Sequence, residues 1–347
     1  MKHFIVQELR RNGGSIPFSA YMELSLYHPE HGYYMSDKPK IGRNGDFYTA
    51  SSISDVYGTL MGRWFADLCE SRQTEPLFCE AGGGTGAFLA AFLKEWEARS
   101  PQTFHSGKVY CIEKSPFHQE KLRPLGVTLL SDLSELPDGF PGVFFSNEWF
   151  DAMPVRLIKR VDGSLYEAWV GEKDGSLEFI YKKCGEAEKY YTWAGNAVQE
   201  GCTAEIPDGM LQTLSELNDK LGEATVVTAD YGLFPEQLQE RRSGTIRGFR
   251  QHQLIADPLA YPFEMDLTYD IPLEAYRKAA AEYGWVERFI GKQTPFFWEN
   301  GLPTLLQDDS SPDPFSKAAR RNRAVRSLLV HDGISSSFHF LIHKKRG

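Results

Sequence analysis

The sequence predicts an α/β fold in which helices wind both faces of a mostly parallel sheet. Two observations carry that expectation. Short apolar runs alternate with helical patterns from residue 77 onward, the rhythm of βα units. The first run, Leu77-Phe78-Cys79-Glu80-Ala81, passes through Gly82-Gly83-Gly84-Thr85-Gly86 into the amphipathic stretch Ala87-Phe88-Leu89-Ala90-Ala91-Phe92-Leu93. A strand, a tight glycine turn and a helix in that order make the first unit of a doubly wound sheet.

Glycine lets the backbone turn tightly and approach a ligand closely, and the helix N-terminus behind it offers free N–H groups. The spacing Gly82-x-Gly84-x-x-Ala87 satisfies a relaxed dinucleotide fingerprint. The same residues read Glu80-x-Gly82-x-Gly84-x-Gly86, which resembles the acid-and-glycine motif of class I S-adenosylmethionine methyltransferases. That donor carries a sulfonium and an ammonium but no pyrophosphate, so a carboxylate at the end of the first strand suits it by charge. The plain alternative is an ordinary strand-to-helix turn.

The composition bounds the function. A chain of 347 residues with 41% hydrophobic and 24% charged residues is ordinary for a globular protein. Its net charge of −9 argues against nucleic acid as the main partner. The cysteines (Cys69, Cys79, Cys111, Cys184, Cys202) are scattered, never paired as Cys-x-x-Cys, and suggest no metal site. The first residues show neither a long apolar core nor an Arg/Ser-rich leader, and no window is apolar enough to span a bilayer. A cytoplasmic protein is therefore expected.

Taken in order, residues 3–28 read as two short helices broken at Asn12-Gly13-Gly14. An aromatic, glycine-rich loop follows through Ser54, then a helix from about Asp55 to Arg72 with Val56, Leu60, Trp64 and Leu68 on one stripe. These segments precede the sheet and are placed to wall the cofactor pocket; the alternative is that their tyrosines only pack a helical cap. The second strand, Lys108–Ile112, leads to Glu113, an acid placed to accept both ribose hydroxyls of a bound nucleoside. After the third strand, Val127–Leu130, Asp132 could accept from an adenine amino group while Leu133 packs the ring, or Asp132 could simply cap a helix.

The fourth strand, Gly142–Ser146, ends in Asn147-Glu148-Trp149-Phe150-Asp151. Ligands of open α/β sheets sit beyond the C-terminal strand ends, so Asn147 and Glu148 should face the transferred group. A helix N-cap at Asn147 is compatible with that role. From Val155 the chain alternates as hairpins do, turning at Asp162-Gly163 and Asp174-Gly175. A fifth strand covers Ala224–Asp230, and residues 244–270 begin as a strand and continue as a substrate-side loop carrying His252. A helix from Pro272 to Tyr283 and strands at Trp285–Ile290 and Ser336–His343 complete the sheet. The expected division is a helical cap over 1–75, a core over 76–154 and 223–347, and an insertion over 155–222 that holds a macromolecular substrate or a dimer partner.

Several segments together resemble the MidA family of S-adenosylmethionine-dependent methyltransferases. They are Leu26-Tyr27-His28-Pro29-Glu30-x-Gly32-Tyr33-Tyr34, Gly45-Asp46-Phe47-Tyr48-Thr49, Glu80-x-Gly82-x-Gly84-x-Gly86, Ile112-Glu113-Lys114-Ser115-Pro116 and Asn147 to Val155. Asp230-Tyr231-Gly232, Gly244-Thr245-Ile246-Arg247 and Asp266-Leu267-Thr268 continue the match, which runs in order along nearly the whole chain. The resemblance implies a class I, Rossmann-like, seven-stranded sheet whose last strand inserts antiparallel, with S-adenosyl-L-methionine as cofactor. It also implies that Phe47, Tyr48 and Thr49 belong to the cofactor site.

Mitochondrial members of that family are respiratory complex I assembly factors that methylate a protein arginine, so the resemblance implies an arginine-bearing protein, such as a respiratory-complex subunit, as partner. Asn147, Glu148 and Asp151 are then the catalytic candidates. In an in-line displacement at ~3–3.5 Å, Glu148 would localise the guanidinium charge and free one nitrogen lone pair. Two departures stand out. The family's Thr-Ser-Pro-Glu is Thr49-Ala50-Ser51-Ser52 here, which removes one acid, and its Gly-Pro-Gly-Arg-Gly is Gly82-Gly83-Gly84-Thr85-Gly86. A non-catalytic scaffold that keeps the cofactor, and an NAD-dependent oxidoreductase, are the alternative readings.

Overall fold

Leu77-Phe78-Cys79-Glu80-Ala81 becomes a strand whose last four residues are all buried, as expected where helices cover both faces of a parallel sheet. In the computed structural model the described residues are 2–37, 40, 51–185, 198–307, 313, 316–328 and 338–346, with side chains left aside at 2 and 51–54. The chain divides into two compact units. The first comprises Pro39–Glu148, Glu216–Asp230 and Gly284–Gly347, and the second Met1–Lys38, Trp149–Ser215 and Tyr231–Tyr283.

The first unit is built on strands β1 (Leu77–Ala81), β2 (Lys108–Ile112), β3 (Thr128–Leu130), β4 (Val143–Asn147), β5 (Ala224–Leu233), β6 (Val286–Gly291) and β7 (Phe338–Lys345). They neighbour one another in the order β3-β2-β1-β4-β5-β7-β6. The pairs β1–β2, β1–β4, β2–β3 and β4–β5 are parallel, and β6–β7 is antiparallel. In register, Ala81 lies opposite Ile112 and Ser146, and Ala229 opposite Asn147, so the C-terminal ends of these strands share one edge.

Aromatic rings fill one side of the sheet. Phe78 stacks on Phe92 at 4.0 Å and Phe88 on Phe145 at 4.7 Å between centroids. Burying each such ring contributes roughly 1.5–3 kcal/mol. The helix Ser51–Glu70 packs against the helix Ala87–Arg99 because two glycines remove its side chains at the contact. A Cβ at Gly58 would stand 2.3 Å from the Phe88 carbonyl oxygen, and one at Gly62 2.7 Å from that of Phe92. Arg63 pairs with Glu95 at 2.6 Å and Arg99 with Asp67 at 2.6 Å along the same seam.

The second unit carries a five-stranded antiparallel sheet. Strand Ser164–Lys173 pairs with Arg156–Val161, Ser176–Lys183 and Ser15–Pro17, and Arg156–Val161 pairs with Thr203–Ile206. Both hairpins turn where the Asp-Gly pairs predict. Asp162 and Gly163 have φ of 48° and 72°, Asp174 and Gly175 of 51° and 77°, the left-handed pair of a type I′ turn. Ile158, Leu165, Val198, Ala204 and Ile206 form an apolar cluster under this sheet. Strand Arg247–Arg250 lies at the start of the 244–270 segment, where a strand is expected, and pairs with Gln253–Ile255 and Asp266–Thr268, which lie in the part expected to be an irregular loop.

The division in space differs from the division expected along the chain. The helix Ser51–Glu70, expected in the cap, belongs with the parallel sheet because of its glycine seam. Residues 231–283, expected in the core, belong with the insertion: the Glu205 carboxylate accepts from the N–H groups of Thr245 and Ile246 at 2.5 and 2.9 Å, and Thr203 N donates to the Arg242 carbonyl at 2.8 Å. The N-terminal residues join this unit through the antiparallel pairing of Ser15–Pro17 with Trp169–Gly171. Among the described residues no helix is long and apolar enough to cross a membrane.

Candidate active site

The shared C-terminal edge of β1, β2 and β4 gathers most of the residues singled out in the sequence. Between β1 and the helix Ala87–Arg99 the chain must reverse within five residues, and Gly82, Gly84 and Gly86 do so with φ of 75°, 53° and 77°. L-residues reach such angles only at a cost of roughly 1–2 kcal/mol each. Gly83 is needed for space instead: a Cβ there would lie 2.3 Å from the Sγ of Cys111 on β2. Gly82 N donates to the Ile112 carbonyl at 2.8 Å, which fixes the loop to the end of β2.

Glu113 completes that fixation. It directly follows β2, is buried, and uses both oxygens: Oε2 accepts from Gly84 N at 2.9 Å and Oε1 from Ser115 N at 2.8 Å. Each carboxylate oxygen retains a further lone pair for a ligand hydroxyl. Glu80, on β1, is 4% exposed, and its Oε2 has no hydrogen-bond partner among the described residues. Burial, with a further contribution from the Glu113 charge, pushes its carboxyl up to about 8. A buried acid left without a partner beside a glycine loop is suited to a cationic group brought in by a ligand. The residues present thus fit the sulfonium- and ammonium-bearing cofactor expected here.

Asp132 is exposed and accepts from Ser134 N at 2.9 Å, capping the short 3₁₀ turn Leu133–Glu135. That backbone bond holds its carboxyl below the usual range, and Leu133 beside it is buried. Ser134 thus engages this carboxylate as the capping reading expects. Phe47, Tyr48 and Thr49 lie outside the described residues.

At the end of β4, Asn147 is half-buried and its Nδ2 lies 3.4 Å from Oε1 of Glu148. Glu148 N donates to the Ala229 carbonyl at 2.9 Å, extending the β4–β5 ladder by one residue, and φ there is +47°. A non-glycine residue in that region stores about 1–3 kcal/mol and is characteristic of functional sites. The Glu148 side chain is open to solvent, yet protein crowds it from other directions, and this desolvation raises its carboxyl against the opposing hydrogen bond from Asn147.

Asp151 falls in the second unit, buried in a tyrosine cluster. There Tyr34 donates to Asp266 at 2.7 Å, Tyr27 stacks on Tyr34 and donates to the Ala152 carbonyl at 3.1 Å, and burial, followed by the charges of Asp266 and, to a lesser degree, Asp151, raises the Tyr34 phenol. His252 has φ of 63° and, with Gln251 at 49°, forms the turn between strands Arg247–Arg250 and Gln253–Ile255. One residue that sequence reasoning did not single out belongs to the Glu148 neighbourhood. Tyr57, on the helix Ser51–Glu70, has a buried hydroxyl without a hydrogen-bond partner among the described residues, and burial, then the charges of Glu148 and Asp230, raise its phenol. Its place beside Val56 on an apolar stripe hid it as a core residue.

Residues 60–290 match the model of a family described as "Putative S-adenosyl-L-methionine-dependent methyltransferase". The chain is 28% identical over 305 residues to "Protein arginine methyltransferase NDUFAF7 homolog, mitochondrial" of Drosophila melanogaster, covering 78% of this chain and 68% of the relative. It is 26% identical over 369 residues to "Protein arginine methyltransferase NDUFAF7, mitochondrial" of Rattus norvegicus, covering 95% and 81%. A solved structure of a Burkholderia thailandensis protein bound to S-adenosyl-homocysteine superposes with a TM-score of 0.87 at 26% identity, covering 99% of this chain and 91% of that one.

These findings correct the expectation of a cytoplasmic protein, because the fly and rat relatives are mitochondrial proteins. They also remove the dinucleotide oxidoreductase from consideration, since the family's cofactor is S-adenosyl-L-methionine. With its glycine loop, its acids at the ends of β1 and β2 and an α/β core, this chain belongs to that family of S-adenosyl-L-methionine-dependent methyltransferases.

Proposed function

We propose that the enzyme transfers a methyl group to a guanidinium nitrogen of an arginine on a protein, with the first unit as a class I, seven-stranded catalytic core. The observation that carries this reading is Glu148: an acid at the end of β4, open to an incoming group, held in a strained backbone and raised by desolvation. When bound, S-adenosyl-L-methionine supplies an electrophilic methyl on a sulfonium, whose sulfur keeps the carbon–sulfur electron pair. Glu80 neutralises the donor's ammonium, and Glu113 accepts from ribose hydroxyls with the lone pairs that the loop leaves free. Asp132 and Leu133 take the adenine, and Phe47, Tyr48 and Thr49 follow the resemblance as further cofactor contacts.

Glu148 accepts N–H bonds from the guanidinium and draws its positive charge toward them, so the remaining nitrogen regains a lone pair. That lone pair forms the new nitrogen–carbon bond. The proton released from nitrogen passes to the Glu148 carboxylate, a stronger base than an ordinary acid because the protein crowding it raises it. Asn147 holds that carboxylate in place, and Asp151 orients the segment after β4 from within its tyrosine cluster. The similarity to relatives named protein arginine methyltransferases supports the same acceptor.

A respiratory-complex subunit is the acceptor the family resemblance implies. The hairpins of 155–222 are the surface proposed to hold a macromolecular partner or a second copy in a homodimer. The test is incubation with methyl-labelled S-adenosyl-L-methionine and mitochondrial protein, followed by mass spectrometry of the labelled residues. Methylarginine is the expected product; label on lysine or on no protein would overturn the reading.

A further inference from the structure

Tyr57 poses a problem that packing does not answer. Its ring meets Phe297 edge to face at 4.8 Å and lies against Phe88 and Phe145 at 5.7 and 6.0 Å. Such surroundings suit phenylalanine equally well. The residue is 7% exposed, and its hydroxyl is buried with no hydrogen-bond partner among the described residues. Leaving a buried polar group unpaired is costly, and buried polar side chains mostly find a partner. An unpaired one therefore points to a group that arrives with a ligand.

The direction is set by the sheet. Phe145 stands two residues before the end of β4, Glu148 follows that end, and Ala229 pairs with Asn147 so that Asp230 stands beside it on β5. After burial, the charges of Glu148 and then Asp230 are what raise the Tyr57 phenol far above its ordinary range. The group thus stays a neutral O–H. It has one donor and two lone pairs, whereas the carboxylates around it have lone pairs only.

We propose that Tyr57 determines acceptor specificity: its unpaired hydroxyl oxygen accepts an N–H of the substrate guanidinium while Glu148, just past the end of β4, accepts others. This rests on the arginine reading above and adds a third contact to it. A cation with several N–H groups satisfies both residues at once, whereas a hydroxyl acceptor has a single O–H to share between them. Because the phenol takes no proton, it positions the acceptor and leaves the bonds formed and broken as already described.

The test is Tyr57→Phe, which keeps the ring and deletes the hydroxyl. Methyl transfer to a pool of arginine-bearing peptides is resolved into kcat and KM, beside S-adenosylhomocysteine affinity by calorimetry and the melting temperature. We expect KM to rise and kcat/KM to fall by about tenfold or more, since a hydrogen bond to a charged group is lost. Affinity for S-adenosylhomocysteine should hold and the melting temperature should not fall. Wild-type kcat and KM in the variant would overturn the proposal, as would a parallel loss of S-adenosylhomocysteine affinity or a lower melting temperature. If the wild-type enzyme forms no methylarginine on these peptides, the arginine reading falls and this inference with it. The wild-type sample thus separates the two failures.

Discussion

Glu113 and Glu148 each follow directly on the last residue of a strand, β2 and β4, yet they are held in opposite ways. Glu113 is buried and spends an oxygen on each of two backbone N–H groups, one of them in the glycine loop. Glu148 is open to solvent, sits at φ +47°, and among the described residues has only the 3.4 Å contact of Asn147 on its carboxylate. The first arrangement fixes backbone against backbone and suits a ligand that never changes. The second leaves side-chain valences open, as a site must when its ligand arrives on another protein and its charge has to be redistributed during the reaction.

Four variants test that contrast, the first with the largest expected effect. Glu148→Gln should lower kcat by about a hundredfold or more while S-adenosylhomocysteine affinity holds. Calorimetry beside turnover checks this, and equal losses in both would erase the distinction between the two acids. The pH dependence of donor binding comes next. In the free protein Glu80 is protonated below about 8, so pairing with the donor's ammonium must release a proton. Affinity should then rise by up to about tenfold per pH unit as pH approaches that value, and Glu80→Gln should flatten the dependence. The free protein behaves oppositely: its folded state holds a proton that the unfolded chain releases near 4.5, so stability falls as pH rises from there toward about 8.

Gly83→Ala should act on the donor side alone. A methyl 2.3 Å from Cys111 Sγ must displace the loop, at about 1–3 kcal/mol of stability and a severalfold loss of donor affinity. A melting curve and a titration together check it; lowered kcat at saturating donor would show that the two sides are not separable. Asp132→Asn is the mildest. It keeps an oxygen for Ser134 N, so thermal stability should shift by less than about 1 kcal/mol, with roughly a twofold loss of donor affinity.

Local chemistry was the legible part of this chain. The β1–glycine–helix unit, the acid after β2, and both Asp-Gly hairpins depend on residues close in sequence, and each forms where its pattern lies. Strands of three residues, such as Gln253–Ile255 and Asp266–Thr268, are too short to show a period, so the chain after the strand at Arg247–Arg250 read as a loop. The division into units was hidden for a different reason. It is decided by backbone bonds such as Thr245 N to Glu205, between residues 40 positions apart, and by the absence of side chains at Gly58 and Gly62. Tyr57 escaped notice because nothing in a sequence marks whether a buried tyrosine has found a partner for its hydroxyl.

Gly58 and Gly62 also bear on how such an enzyme can change over time. The space a methyl would need at position 58 is already taken by the Phe88 carbonyl, in the helix that begins directly after Gly86, and Gly58 is the immediate neighbour of Tyr57. A lineage cannot enlarge either glycine without a matching retreat in the helix Ala87–Arg99. Residues that meet the donor and residues that meet the acceptor are thereby obliged to drift together at this seam. New acceptor preferences should accordingly arise by exchange of side chains around Glu148, with the two helices left in register.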